Sequence, residues 1–258
     1  MIQVNVATST SPGSMAVDGR VNEPKEFMHY LEFDPSDFEA HWQAVNLSDA
    51  LLDRALPTTV ESVVLQEVFK LNANYLEKAF WQSSIGGTAP FNKWDGMVTK
   101  MLADATVIPI TSANYAALSA ANIVAKLGLV RDAIPEALID DPNMKLFVSK
   151  ATAKLYDDAQ KAQTNKGVDI TQRGIRLFDG YQVVALPGVP ANTIIAAKGT
   201  ASLDSNLWMG VNSVADENRL DIMRLQANSE LFFVKGLFKV DVNFGWGEEV
   251  VLYHPSNA

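Results

Sequence analysis

The chain has 258 residues, 48% of them hydrophobic and 20% charged, with a mean hydropathy of +0.02; that balance folds rather than staying disordered. No run approaches the ~18–20 consecutive apolar residues of a membrane-spanning helix, and the absence of cysteine excludes disulfides, thiolate zinc sites, iron–sulfur clusters and cysteine nucleophiles together. A formal charge of −9 lacks the basic footprint of a sequence-specific nucleic-acid reader.

The charge is uneven. Residues 1–56 hold nine acidic groups against Arg20, Lys25 and Arg54, whereas residues 101–200 are close to neutral. An acidic arm on a neutral body is either a solvated edge or a segment kept soluble until it meets a partner surface. The start, Met1-Ile2-Gln3-Val4-Asn5, has no basic region leading into an apolar run, so no secretory signal is expected.

In chain order, residues 1–25 are rich in Thr, Ser, Gly, Asn and Val, with a strand-like stretch at 3–7 and a tight-turn signal at Asp18-Gly19. Residues 27–33 read as a second strand, ended by Asp34-Pro35. Together they form an arm with little apolar surface of its own, which needs another surface to lie on. A long helix is predicted over 58–81, with Thr58 and Glu61 as a capping box. Val60, Val64, Val68, Leu71, Tyr75 and Ala79 form one apolar stripe, and Leu65, Phe69, Leu76 and Phe80 a second. The helix is roughly 35 Å long, and two apolar faces imply that it is gripped from both sides.

Gly86-Gly87 and Pro90 mark a loop. A second helix is predicted over 112–127 with Gly128 at its C′ position, then breaks at Pro135 and Pro142. Residues 145–148 read as a buried strand, and Ser149 as the N-cap of a third helix reaching Gln163. From Ile175 the period becomes 2: a hairpin turning at Asp179-Gly180 runs to Leu186, and further strands fit 193–197, 220–225, 231–244 and 249–253. The run 231–244 is apolar enough to begin as a helix instead. Helices mixed with strands in this order read as α+β.

Catalytic signatures are missing. There is no G-x-G-x-x-G, G-x-x-x-x-G-K, G-x-S-x-G or H-E-x-x-H. His29, His41 and His254 share no helix face, so a metal site would have to be assembled across the fold. The pairs Asp140-Asp141, Asp157-Asp158 and Glu248-Glu249 are sequence neighbours whose side chains diverge, which makes no shared-proton dyad. Trp42, Trp81, Trp94, Trp208 and Trp246 are scattered. The sequence therefore assigns no catalytic residue, no metal and no cofactor.

The C-terminal third carries a resemblance. Ser205-Asn206-Leu207-Trp208-Met209-Gly210, Ser213-Val214-Ala215-Asp216-Glu217-Asn218 and Val240-Asp241-Val242-Asn243-Phe244-Gly245-Trp246-Gly247-Glu248-Glu249 resemble the carboxyl end of tailed-bacteriophage major capsid proteins, which share the Hong Kong 97 fold with encapsulin shells. The upstream order is similar too, including Phe147-Val148-Ser149 and Leu177-Phe178-Asp179-Gly180-Tyr181. The resemblance implies an N-terminal arm and E-loop over 1–45, a peripheral domain over 46–111 with spine helix 58–81, an axial domain over 112–200, and a return to the peripheral domain over 201–258.

It further implies a shell subunit of the virion, not an enzyme, that assembles into pentamers and hexamers. A portal and a separate scaffolding protein would be its partners; with only 57 residues before the spine helix, either scaffolding is a separate protein or this is a processed or truncated form. Contact with packaged double-stranded DNA would be non-specific, and no membrane is involved. Phe233-Val234-Lys235-Gly236 offers no Asn partner for cross-linking. Two alternatives stay open: an encapsulin-type compartment, and a monomeric α+β enzyme. The assembly contacts implied are Asp18, Arg20, Lys25, Phe27, Tyr30 and Phe33 on the arm, laid across a neighbouring subunit, and Lys166, Asp169 and Arg173 in the loop 163–174 near the capsomer axis.

Overall fold

The computed structural model describes residues 20–34, 58–111, 114–162, 175–212, 220–226 and 231–255, with 29, 58–65 and 220 described by their backbone alone. In chain order it contains β1 (Lys25–Phe33), α1 (Thr58–Gln82), α2 (Met97–Ala103), β2 (Ile108–Pro109), α3 (Ile123–Asp132), β3 (Met144–Ser149), α4 (Lys150–Ala162), β4 (Arg176–Phe178), β5 (Tyr181–Leu186), β6 (Ile194–Lys198), β7 (Leu207–Val211), β8 (Leu220–Arg224), β9 (Phe232–Phe244) and β10 (Val251–Tyr253).

Two sheets organise these elements. A six-stranded sheet has the order β2-β10-β6-β3-β5-β4, with β3 parallel to β5, β2 parallel to β10 and the other pairs antiparallel. It is buried on both faces, so its strands alternate between two cores. Leu146, Val148, Ile194, Ala196, Val251 and Tyr253 face α3 and α4. Phe147, Ile195, Ala197 and Leu252 face the other way, toward Ala79, Trp81, Met97 and Met101 of α1 and α2. A strand apolar at every position is what two-sided burial demands.

The second sheet is built around β9. One edge of β9 pairs antiparallel with β1 over all nine residues of that strand, from Lys25 opposite Val240 to Phe33 opposite Phe232. Its other edge carries β7 and β8 end to end. The buried positions Val240, Val242 and Phe244 bind this sheet to the core under α1 and α2.

Several expectations hold. The Asp179-Gly180 turn joins β4 to β5 with φ of 49° and 89°, the left-handed pair that a two-residue hairpin requires. Ser149 caps α4: its Oγ accepts from the Thr152 N–H at 3.0 Å. The run 231–244 is a strand from Phe232 to Phe244, not a helix.

Others need correction. The second helix is Ile123–Asp132 rather than 112–127, and Gly128 lies inside it. Upstream, side chains take up the backbone groups that a helix would have used. The Ala116 N–H donates to Tyr253 Oη, the Leu118 N–H to Asn192 Oδ1 and the Ser119 N–H to Asn122 Oδ1. The helix then continues past Gly128 because Val130 is buried in the core.

Among the described residues the long helix is not gripped from both sides. Ala79 and Trp81 are buried, yet Phe69 and Leu71 are exposed. The stretch 201–258 contributes to both sheets: β7, β8 and β9 lie in one, and β10 in the other beside β6. The strand β7 had no counterpart in the sequence reading. Gly210 interrupts its pattern, and a Cβ there would lie 3.0 Å from the Asn22 Cβ. The expected strand at 3–7, the Thr58–Glu61 capping box and the stripe residues Val60, Val64 and Leu65 lie outside the described residues and side chains.

Candidate functional site

The segment before β1 and β1 itself are fastened along β9 by a line of side-chain contacts. Asp241 sits near the C-terminal end of β9 and is almost fully buried. One of its carboxylate oxygens accepts from Lys100 Nζ at 2.8 Å and the other from the Glu23 N–H at 2.9 Å. Lys100 Nζ also donates to the Val242 carbonyl at 2.5 Å. One carboxylate thus ties together α2, β9 and the incoming arm, and each of its oxygens has a donor, as a buried charge requires.

Two residues further out, Asn243 Nδ2 donates to the Val21 carbonyl at 3.3 Å. Arg20 closes the line. Its guanidinium pairs with Asp104, donates to Thr106 Oγ1 at 3.3 Å and lies over the Phe244 ring at 4.2 Å. Hydrogen bonds from the Thr106 hydroxyl and N–H, with Arg20 alongside, hold the Asp104 carboxyl below the usual carboxylate range.

The aromatic residues of β1 follow. Phe27 stands edge-on to the buried Trp94 and beside Phe238, Tyr30 lies against Phe233 and Phe33 stacks on Phe232. Lys25 Nζ reaches Glu23 at 3.2 Å. Arg20, Lys25, Phe27, Tyr30 and Phe33 were expected to find their partners on a neighbouring subunit. Each also has a partner within its own chain, because a thirteen-residue strand, β9, offers the arm a full ladder. Asp18, Lys166, Asp169 and Arg173 lie outside the described residues.

Three features were beyond sequence reasoning. Lys100 and Asp241 are 141 positions apart, and neither stands in a motif. Lys198 lies 3.3 Å from Asp141 and 3.4 Å from Glu249. Burial opposes its charge, but the hydrogen bond to Asp141 and the charge of Glu249 prevail and raise its pKa above the ordinary lysine value. The third is the turn Gly245-Trp246-Gly247. Buried Asn206 clamps it from both sides, with Oδ1 accepting from the Trp246 N–H and Nδ2 donating to the Trp246 carbonyl, both at 2.7 Å. A Cβ on Gly247 would lie 1.9 Å from Thr106 Oγ1, so the turn presses onto the loop that holds Arg20. The backbone of Trp246 is locked while the residue is 69% exposed.

A cleft of about 600 Å³ opens beside this turn, between Arg20, Trp208, Asn243 and Trp246. Another, of about 690 Å³, lies between β1 and α1, with Phe27, Tyr75, Lys93 and Phe238 on its walls. Among the described residues no group of three or more His, Asp or Glu side chains is placed to hold a metal ion, and no helix is long and apolar enough to cross a membrane. What the arrangement offers is surface: a strand fastened along a sheet edge, and rigid aromatic projections beside it.

The two sheets, the helix α1 and their connectivity define an α+β fold of the Hong Kong 97 capsid type. A chain in the structure of the satellite phage P4 procapsid including size determination (Sid) protein superposes on 98% of this chain and 77% of its own, with a TM-score of 0.64 at 13% identity. A chain in the capsid of the native GTA particle covers 97% of this chain and 80% of its own, with a TM-score of 0.56 at 14% identity. A chain of Mycobacterium phage Che8 covers 97% and 78%, with a TM-score of 0.56 at 11% identity. No protein-family model matches the chain, and no curated protein does; the likeness is one of fold.

Proposed function

We propose that this chain is the major capsid protein of a tailed double-stranded DNA bacteriophage, assembling with itself into the pentamers and hexamers of an icosahedral head. The observation that carries this reading is the extent of the fold likeness. It takes in 98% of the chain, so the likeness is to the fold as a whole and not to one part of it. A shell subunit needs large surfaces that are covered only on assembly and repeated heterologous contacts that close into rings. Exposed Leu71, Trp208, Met209 and Trp246 are groups of that kind.

In this reading residues 1–45 are the N-terminal arm and E-loop. Residues 46–111 with α1 are the peripheral domain and 112–200 the axial domain, whose sheet β10 completes. Most of 201–258 returns to the peripheral domain. The loop 163–174, with Lys166, Asp169 and Arg173, lies near the capsomer axis. A portal and a separate scaffolding protein are its assembly partners, and packaged DNA touches it without sequence preference. The test is cryo-electron microscopy of the purified protein under assembly conditions. Closed shells with five-fold vertices are expected; a 28.1 kDa monomer that stays monomeric at every concentration and salt would overturn the reading.

A further inference from the structure

Beyond β9's contact with the core, β1, β8 and the first half of β9 form a three-stranded ribbon whose two faces differ. Directly opposite residues of an antiparallel pair share a face, and successive residues alternate. The face carrying Phe27 turns toward the chain's own core at Trp94. The other face carries Met28, Tyr30, Leu237 and Met223, which are 59%, 42%, 46% and 52% exposed. Among the described residues nothing lies over this row of large apolar side chains, which is interspersed with Glu26, Glu32, Lys235, Lys239 and Asp221.

The register determines what can cover it. Level by level along this face, Glu26 stands opposite Lys239, Met28 opposite Leu237, Tyr30 opposite Lys235 and Glu32 opposite Phe233. Between β1 and β9 the acids are on the first strand and the lysines on the second, with Glu26 3.5 Å from Lys239 of the same chain; on the other edge of β9, Asp221 of β8 stands opposite Lys235. A second copy laid face to face, about a two-fold axis parallel to the strands and midway between β1 and β9, brings each β1 residue over the β9 residue of the same level in the other copy. Glu26 then meets Lys239 of the second copy, Met28 meets Leu237 and Tyr30 presents its ring to Lys235, each contact occurring twice. An axis centred on β9 would set Lys235 and Lys239 on themselves. An axis across the strands would set Glu26 against Glu32. Of these three arrangements, only the first pairs acid with base.

The geometry points to this face as a self-complementary contact between two copies of the chain, about the two-fold just described. The inference rests on the reading of the chain as a self-assembling subunit and names one surface by which it assembles. Nine residues at ~3.4 Å each, two strands wide at ~4.8 Å spacing, give roughly 300 Å² per copy, below the ~800 Å² per partner of a standard interface. The contact is therefore weak alone and closes when other contacts bring copies together.

The test uses charge exchange in trans. The chain has no cysteine, so M28C supplies a single reporter thiol, which a bis-maleimide of about 10 Å bridges across two packed sheets. With native charges, cross-linked dimer is expected. E26K alone and K239E alone should each lower its yield several-fold, because each sets like charges together at both symmetric positions. An equal mixture of the two should restore it, since every intermolecular pair is then opposite in sign. Each chain in the mixture still carries its own like-charged 26/239 pair, so a purely internal role for Glu26 and Lys239 would not be rescued. A yield that ignores both substitutions, or a mixture no better than its components, overturns the inference. M28K mixed with L237E, compared by dimer mass in sedimentation, repeats the logic one level along should either charge variant lose its fold. Electron microscopy of the same samples keeps the two readings apart. Shells without charge-dependent dimers defeat this contact alone, and charge-dependent dimers without shells under any condition defeat the capsid reading.

Discussion

Phe27 meets Trp94 edge to face, their ring centroids 4.4 Å apart and their planes at 61°. The contact joins the arm strand to the loop between α1 and α2, so β1 is held by packing as well as by its ladder. F27A should destabilise the chain by about 2–3 kcal/mol, below the ~3–5 kcal/mol of Phe→Ala in cores because the residue is only partly buried. Urea unfolding measures it, and F27L should recover most of the loss. A change within experimental error would mean that β1 is held by its ladder alone.

Lys100 and Asp241 should behave as a coupled pair. D241A strands a half-buried ammonium and frees the Glu23 N–H, with an expected cost of about 3 kcal/mol. K100M strands the carboxylate and should cost a similar amount. The double variant should cost clearly less than the two combined, by about 1–3 kcal/mol of coupling. A double-mutant cycle from chemical denaturation reads this directly; strict additivity would refute the clasp.

Asp104 predicts a pH dependence with a definite sign. Its folded pKa is lowered, first by the Thr106 hydroxyl and N–H and then by Arg20, from an ordinary value of about 3.9. Below that value the unfolded chain binds the proton more readily than the folded one, so stability rises with pH there. The contribution of Asp104 is complete above about pH 4 and is lost as pH falls through the lowered folded value. Melts between pH 5 and pH 2.5 should show D104N with a shallower acid loss than the native chain. Parallel curves would remove Asp104 from the acid response.

Trp246 separates folding from assembly. Its backbone is locked by Asn206 and its ring points to solvent, so W246A should change unfolding free energy by no more than about 0.5 kcal/mol. Exposed, rigidly presented tryptophans are frequent hot spots, and the same variant should assemble several-fold less well. Thermal melts alongside light scattering of assembly give both numbers. Normal assembly by W246A would exclude the ring from any subunit contact.

Removal of residues 1–24 deletes Arg20 and Glu23 but leaves β1 whole. The truncated chain should remain folded, because the β1–β9 ladder and the Phe27–Trp94 contact persist. Its assembly should be impaired, since Asp241 and the cleft at Trp246 lose the arm that frames them. Circular dichroism and electron microscopy give the two readouts; shells of normal yield and stability would show that the segment is no assembly element.

Local chemistry made much of this molecule readable from residue order. The α+β class, the strand 145–148, the Ser149 cap, the Asp179-Gly180 hairpin and the long helix all follow from short-range rules, because period, capping and turn residues act over a few positions. The fold type was readable as well, from the resemblance of the C-terminal third. The helix at 112–127 misled because Tyr253, Asn192 and Asn122 supply hydrogen bonds from elsewhere, and no local pattern announces a borrowed partner. The strand β7 was missed because its glycine answers to Asn22, far away in the chain. Above all, the arm's own charge and sparse apolar content could not say whose surface it would cover. The seat that β1 has within its own chain comes from the thirteen-residue β9, whose ladder, buried Asp241 and neighbouring Trp94 hold it, and whose register with β1 sorts acids and lysines into facing columns. Such sorting exists only once two strands 200 residues apart lie side by side.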